Sequence, residues 1–115
     1  MSRRAITRAA SSRQGASVRL TFAGGDALDA ASAPGLKRDA LALLEGAAEA
    51  TVDLEHVEFL DSAGVGLLVA LFKAMRLRGG RVRFRRLRPG VRSVLEILRL
   101  DRIFEIVGER VESAR

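Results

Sequence analysis

Two kinds of periodicity alternate along this chain, and the alternation leaves few folds open. Ser17-Val18-Arg19-Leu20-Thr21-Phe22 repeats with period two, placing Val18, Leu20 and Phe22 on one face, the pattern of a half-buried strand. Residues 28–44 change to helical spacing, with Leu36, Ala40, Leu43 and Leu44 as the stripe, Pro34 in the first turn and Asp29 or Ser32 as caps. Thr51-Val52-Asp53-Leu54 returns to a strand. Residues 63–78 predict a helix on which Val65, Leu67, Leu68, Val69, Leu71 and Phe72 cover most of the circumference, so its first half should be buried. Arg81-Val82-Arg83-Phe84-Arg85 alternates again. Pro89 opens a third helix through Leu98, and residues 103–107 predict a last short strand. Gly24-Gly25-Asp26, Gly46 and Gly79-Gly80 punctuate the segments. Strands alternating with helices imply an α/β fold with a parallel or mixed sheet. A weak strand near residues 5–7, folded as a hairpin onto Ser17 to Phe22, would make the sheet mixed. The expectation is a mixed four- to five-stranded sheet with about four helices, the last a short one within 108–115.

Composition narrows the function more than the fold. A chain of 115 residues with 48% apolar content suits one domain with one core. Residues 1–15 are expected to form an N-terminal tail or weak first strand, and 16–115 the domain. There is no cysteine, which excludes disulfides and thiolate metal sites, and the single histidine cannot build a metal site or a Ser-His-Asp triad alone. No apolar run is long enough to span a bilayer. The N-terminus carries Arg3, Arg4, Arg8 and Arg13 around no apolar centre, unlike a secretory signal, so a cytoplasmic location is expected. The net charge is +6, almost all of the cations being arginine. The arginines of 76–92 are split between a helix end and a strand, and without Tyr or Trp there are few platforms for stacking bases. A solvated basic face is favoured over direct contact with nucleic acid.

The segment Phe59-Leu60-Asp61-Ser62-Ala63-Gly64-Val65-Gly66 joins a short apolar stretch to the most apolar helix. Asp61 and Ser62 are both residue types whose side-chain oxygens cap a helix. Ser62 also offers a hydroxyl at the positive end of that helix, where an added phosphate is electrostatically favoured. Cap and phosphate acceptor both remain open for this hydroxyl. Asp29 and Asp61 could form a carboxylate pair for acid–base catalysis, but no third group, metal set or phosphate-binding glycine loop accompanies them, and no enzyme activity is expected. Gly24-Gly25 lacks the Lys-Ser/Thr continuation of a P-loop, and His56 is read as a loop histidine.

The segment 59–66 resembles the phosphorylation motif of the bacterial STAS-domain anti-sigma factor antagonists, or anti-anti-sigma factors. Further segments are similar to that family in order and spacing: Leu28-Asp29-Ala30-Ala31-Ser32-Ala33-Pro34 to its acidic turn into the first helix, Thr51-Val52-Asp53-Leu54 to its central strand, Gly79-Gly80 and Arg88-Pro89-Gly90-Val91 to turns around the next strand, and residues 95–106 to its closing helix and strand. The resemblance covers about 18–106. It departs where the family often has Gly-Glu-Leu-Asp and this chain has Asp26-Ala27-Leu28-Asp29, and in its arginine-rich surface. The resemblance implies a STAS-like α/β domain that works by partner switching. The unphosphorylated protein would bind an anti-sigma factor that is also a serine kinase. That kinase would phosphorylate Ser62 and end the interaction, and a phosphatase acting on phospho-Ser62 would restore it. Asp29, Asp61, Ser62, Ala63 and Gly64 would form the partner surface, with no metal, cofactor or catalytic residue. One alternative is a non-phosphorylated STAS scaffold subunit of a transport or signalling complex; a weaker one is an arginine-rich nucleic-acid-binding protein.

Overall fold

In a computed structural model, residues 8–23 and 27–108 are described. The first strand, β1, runs Arg8–Gln14 and turns through Gly15 and Ala16 into β2, Ser17–Ala23. The two pair antiparallel from Arg8↔Ala23 to Gln14↔Ser17. The sheet thus begins inside the segment 1–15, after the expected position at 5–7, which lies outside the described residues. So do the turn expected at 24–26 and, beyond Gly108, the short helix expected within 108–115. Small polar residues dominate β1, so its sequence carries no apolar alternation; the register of β2 positions it.

Three further strands continue the sheet in parallel: β4, Glu49–Asp53, on β2; β6, Arg81–Arg85, on β4; and β7, Glu105–Val107, on β6. The order is β1-β2-β4-β6-β7, a mixed five-stranded sheet. A separate two-residue ladder pairs β3, Ala27–Leu28, with β5, Phe59–Leu60, in parallel. Three α-helices and one 3-10 turn occur among the described residues: α1, Ala33–Leu43; α2, Ser62–Leu77; α3, Pro89–Ile97; and the turn Leu100–Arg102.

The core follows the strand alternation. Val18, Leu20 and Phe22 of β2, Ala50 and Val52 of β4, and Val82 and Phe84 of β6 are buried with Leu36 and Ala40 of α1, Leu67, Leu68, Leu71 and Met75 of α2, and Val91 and Leu95 of α3. The helices therefore cover one face of the sheet. The other carries Arg19, Glu49, Thr51, Arg81, Arg83 and Glu105 at the alternate positions. Phe104 stacks on Phe84 with ring centroids 4.5 Å apart and tilts against Phe72 at 5.2 Å.

Two segments differ from the periodicity. The stretch 28–44 is helical only from Ala33: Leu28 belongs to β3, and residues 29–32 form a turn held by their own side chains. Residues 103–107 are not strand throughout. The amides of Ile103 and Phe104 donate to Leu100 O at 3.0 and 2.8 Å, which keeps Ile103 in a turn, so the strand starts at Glu105. Gly79 ends α2 with φ +75°, the left-handed conformation common after a helix.

Candidate functional site

The parallel pairing of β2 with β4 brings the loops that leave their carboxyl ends side by side. The ladder Leu28↔Leu60 ties those loops together, and the next residues along each are Asp29 and Asp61. The Asp61 amide donates to Leu28 O at 3.3 Å. Its carboxylate bridges the loops: Oδ1 accepts from the Gly64 amide at 3.0 Å, and Oδ2 accepts from the Ala30 amide at 3.1 Å. Asp61 is thus the N-cap of α2, satisfying one first-turn donor and one donor of the neighbouring loop. This resolves which of the two junction residues caps the helix. Ser62 is the first helical residue, it is exposed, and its hydroxyl has no hydrogen-bond partner among the described residues.

Asp29 organises its own turn. Its Oδ1 accepts from the amides of Ala31 and Ser32, both at 3.1 Å. Ser32 stands at the N-cap position of α1 but makes no side-chain cap bond. Its hydroxyl lies 3.1 Å from Ala27 O and within 3.2 Å of the Asp29 carboxylate, and it accepts from the Asp29 amide at 3.1 Å. Pro34 sits in the first turn of α1, where its missing N–H costs nothing.

Gly64 explains how α2 can start so close to β3. A Cβ there would stand 2.1 Å from Leu28 O and 2.8 Å from Leu60 Cδ1, and backbone cannot yield that much. Gly64 is buried, so it shapes the junction from beneath and does not present a side chain. Ala63 and the exposed Gly66 lie one turn apart on α2. With Ala33, Pro34 and Lys37 of α1 they line a concavity of about 490 Å³ between the two helices. Exposed at one edge of the ladder is Phe59, with 55% of its surface open to solvent.

The arrangement joins an exposed serine, a helix N-terminus, two carboxylates held by backbone amides and a shallow groove of small side chains. The family model described as Mlab, STAS domain, matches residues 9–108. The chain belongs to the STAS domain family. It is 32% identical over 81 residues to the anti-sigma-B factor antagonist of Bacillus subtilis, a match spanning 70% of this chain and 66%, just under two thirds, of that relative. The fold of this STAS domain is also that of solved structures. An anti-sigma factor antagonist assigned in Thermotoga maritima superposes with a TM-score of 0.78 at 23% identity, over 88% of this chain and 86% of its own. The anti-sigma factor antagonist SpoIIAA in its unphosphorylated form gives 0.71 at 19% identity, over 88% and 89%.

Sequence reasoning did not single out Asp53 or Arg86. Asp53 sits on the helix-free face of β4, yet only 3% of its side chain is exposed. Arg86 closes over it, donating from Nε at 3.1 Å and Nη2 at 2.6 Å, with the Glu55 amide on the other oxygen at 3.0 Å. Burial pushes the Asp53 carboxyl up, but the Arg86 hydrogen bonds, the Glu55 amide and the charges of Arg86 and Arg19 outweigh it and hold the group below its ordinary value. Arg86 has φ 57°, a strained backbone for a non-glycine residue; its bonds to Asp53 and Glu55 anchor it there. An acid in an outward strand position carries no sequence signal of such burial. No helix among the described residues is long and apolar enough to cross a membrane.

Proposed function

We propose that this STAS domain is an anti-sigma factor antagonist switched at Ser62. The observation that carries the reading is the Ser62 hydroxyl: exposed, unbonded and on the first turn of α2, with the capping role taken by Asp61. A kinase can reach that oxygen without dismantling a structural contact. Gly64 and Val65 amides already donate to Asp61, whereas the Ser62 and Ala63 amides have no acceptor among the described residues. They are placed to receive phosphate oxygens, and the helix end tolerates the added charge. The fold would survive phosphorylation while the surface changes.

In the unphosphorylated state, Asp29, Asp61, Ser62 and Ala63, supported by Gly64 beneath, form the face that meets an anti-sigma factor acting as serine kinase. Phosphoryl transfer from ATP forms the bond between Ser62 Oγ and the γ-phosphorus while the bond from that phosphorus to the bridging oxygen breaks; ADP leaves, and the hydroxyl proton is released. The product carries about −1.5 to −2 added charges beside Asp61. A partner packed flat there would bury an ill-paired phosphate, which costs several kcal/mol. A phosphatase acting on phospho-Ser62 resets the surface. The protein is substrate and binder in this cycle, not catalyst, and works in the cytoplasm. The likeness to an antagonist of Bacillus subtilis and to one described in its unphosphorylated form supports the reading.

A second reading keeps the same face without the phosphate, as a STAS scaffold subunit of a transport or signalling complex; the exposed Phe59 and the groove between α1 and α2 would serve a partner in either reading. Incubation with the cognate kinase and ATP, followed by mass spectrometry and binding measurements, separates the two. Phosphate on Ser62 with loss of partner binding is expected. Stable partner binding with no phosphate incorporated would favour the scaffold.

A further inference from the structure

The sheet face turned away from the helices carries an imbalance of charge that can be traced bond by bond. The register sets Ser12, Arg19, Thr51, Arg83 and Glu105 in one row across five strands. Asp53 and Arg85 are neighbours in the next row. Glu105 is paired with Arg81 at 2.7 Å and Arg83 at 3.3 Å, Glu49 with Arg83 at 3.2 Å, and Asp53 with Arg86 at 2.6 Å. Two guanidinium groups remain. Arg19 lies 3.5 Å from Asp53 with 44% of its side chain exposed, and that acid already holds Arg86. The Arg85 side chain makes no ion pair or hydrogen bond among the described residues, and its Nε is buried without an acceptor. A buried donor with no acceptor is uncommon and calls for an explanation.

Both arginines line one concavity of about 470 Å³, together with the hydroxyls of Ser12, Ser17 and Thr51 and the amide of Gln14. Arg13 also borders it, but its guanidinium donates to Glu45 O at 2.6 Å. Every charged residue lining the cavity is a cation, and the surrounding polar groups can donate. Guanidinium forks suit the oxygens of phosphate and related anions. No aromatic ring lines the cavity, so a nucleobase would find no stacking surface. The carboxylates adjacent in register are paired elsewhere: Asp53 with Arg86 at 2.6 Å, and Glu49, the register partner of Ser17, with Arg83 at 3.2 Å.

We infer that this cavity binds a phosphate-class oxyanion, as the free ion or as the phosphate group of a small ester, between Arg85 and Arg19. The site is independent of Ser62 and lies on the opposite face of the sheet from α2.

The test titrates the full chain with inorganic phosphate and, separately, with glucose 6-phosphate, each against chloride at matched ionic strength, by calorimetry and by amide chemical shifts. The expected result is saturable binding with shifts at Arg19, Thr51 and Arg85. Binding should weaken roughly ten-fold or more in Arg85→Gln, since hydrogen bonds to charged groups are the strong ones. It should weaken less in Arg85→Lys, which keeps charge but loses the fork. Arg81→Gln, which alters a paired arginine outside the cavity, and Ser62→Ala, which alters the α2 terminus, should both bind as the parent does. Tighter binding of the ester assigns the ester, and binding of phosphate alone assigns the ion; either supports the site. Binding no stronger than chloride, or unchanged in Arg85→Gln, overturns it, as does binding lost in Ser62→Ala but kept in Arg85→Gln.

Discussion

Asp53 and Asp61 do the same local job and end in opposite states. Asp53 ends β4, Asp61 follows β5, and each accepts a backbone N–H a few residues on, from Glu55 and Gly64 respectively, both at 3.0 Å. What differs is the second oxygen. For Asp53 it faces a guanidinium, and the charge is closed off under Arg86. For Asp61 it faces a neutral amide, Ala30, and no cation pairs with it among the described residues. One aspartate is therefore a sealed knot at the carboxyl end of the central strand. The other fixes the geometry of a surface and keeps a negative charge that no cation among the described residues pairs.

Breaking the knot should have the largest effect. Arg86→Ala strands a carboxylate that is only 3% exposed, with Arg19 at 3.5 Å as its remaining cation. A destabilisation of about 3 kcal/mol is expected by chemical denaturation; less than about 1 kcal/mol would mean that Arg19 takes over. The knot also has a pH signature. The folded Asp53 carboxyl titrates below its ordinary value of 3.8, so its contribution is complete above that pH. It fades as pH falls from there through the lower, folded value. Asp53→Asn should therefore flatten the loss of stability below about pH 4, and an unchanged acid limb would contradict the knot.

Gly64→Ala attacks the other region from beneath. A methyl group 2.1 Å from Leu28 O must push α2 off the ladder, at roughly 1–3 kcal/mol. Because the push separates the two loops, the Ala30 amide should lose its bond to Asp61, visible as a chemical-shift change and faster hydrogen exchange at Ala30. Full stability with an unmoved Ala30 resonance would show that the close approach is relaxed in solution.

Asp61 permits a sharper cut, because its geometry and its charge can be separated. Asp61→Ala removes both the cap and the inter-loop bond, worth about 1 kcal/mol or somewhat more. Asp61→Asn keeps a side-chain oxygen for the Gly64 amide, and Asn caps as well as Asp does, but its NH2 cannot accept from the Ala30 amide, so stability should fall by less than in Asp61→Ala. If the open charge matters to a partner, Asp61→Asn should weaken binding by far more than this small change in denaturation accounts for. The corresponding change at Asp53 should do the reverse.

The strands and helices were legible because burial on one face imposes a period, as Val18, Leu20 and Phe22 or Val82 and Phe84 illustrate. β1 was displaced because Ala9, Ser11 and Arg13, its positions opposite Phe22, Leu20 and Val18, are not a run of large apolar residues. The ladder of β3 with β5 escaped because two residues cannot express a period. With it went the boundary of α1 and the reason Asp29 and Asp61 meet. The junction itself was readable from residue types, but the division of labour within it was not. Either Asp61 or Ser62 could cap; only the backbone conformation, with Asp61 extended at φ −102° and ψ −171° and Ser62 already helical, decides. The knot of Asp53 and Arg86 joins residues 33 apart in sequence and had no local sign.

The smallest expected effect on stability falls at Ser62, the residue on which the proposed switch turns. Ser62 caps nothing, touches nothing by hydrogen bond among the described residues and sits where alanine is a good helix former. Ser62→Ala should shift stability by no more than about 0.5 kcal/mol, less than Asp61→Ala or Arg86→Ala. The same substitution should abolish phosphate incorporation and leave the partner bound without an off state. Ser62→Asp supplies one charge with fewer oxygens and a shorter reach than phosphate, so it should weaken binding only in part. Two other serines test the assignment. Ser32 Oγ is part-buried and committed to Ala27 O and Asp29, so a kinase would have to open the turn to use it. Ser93 is exposed on α3 and belongs to neither of the two loops. Peptide mapping by mass spectrometry after incubation with kinase and ATP should place phosphate on Ser62. Phosphate on Ser93, or equal partner affinity for the phosphorylated and free forms, would reduce Ser62 to an ordinary first-turn residue and leave Asp61 as a cap with no switch behind it.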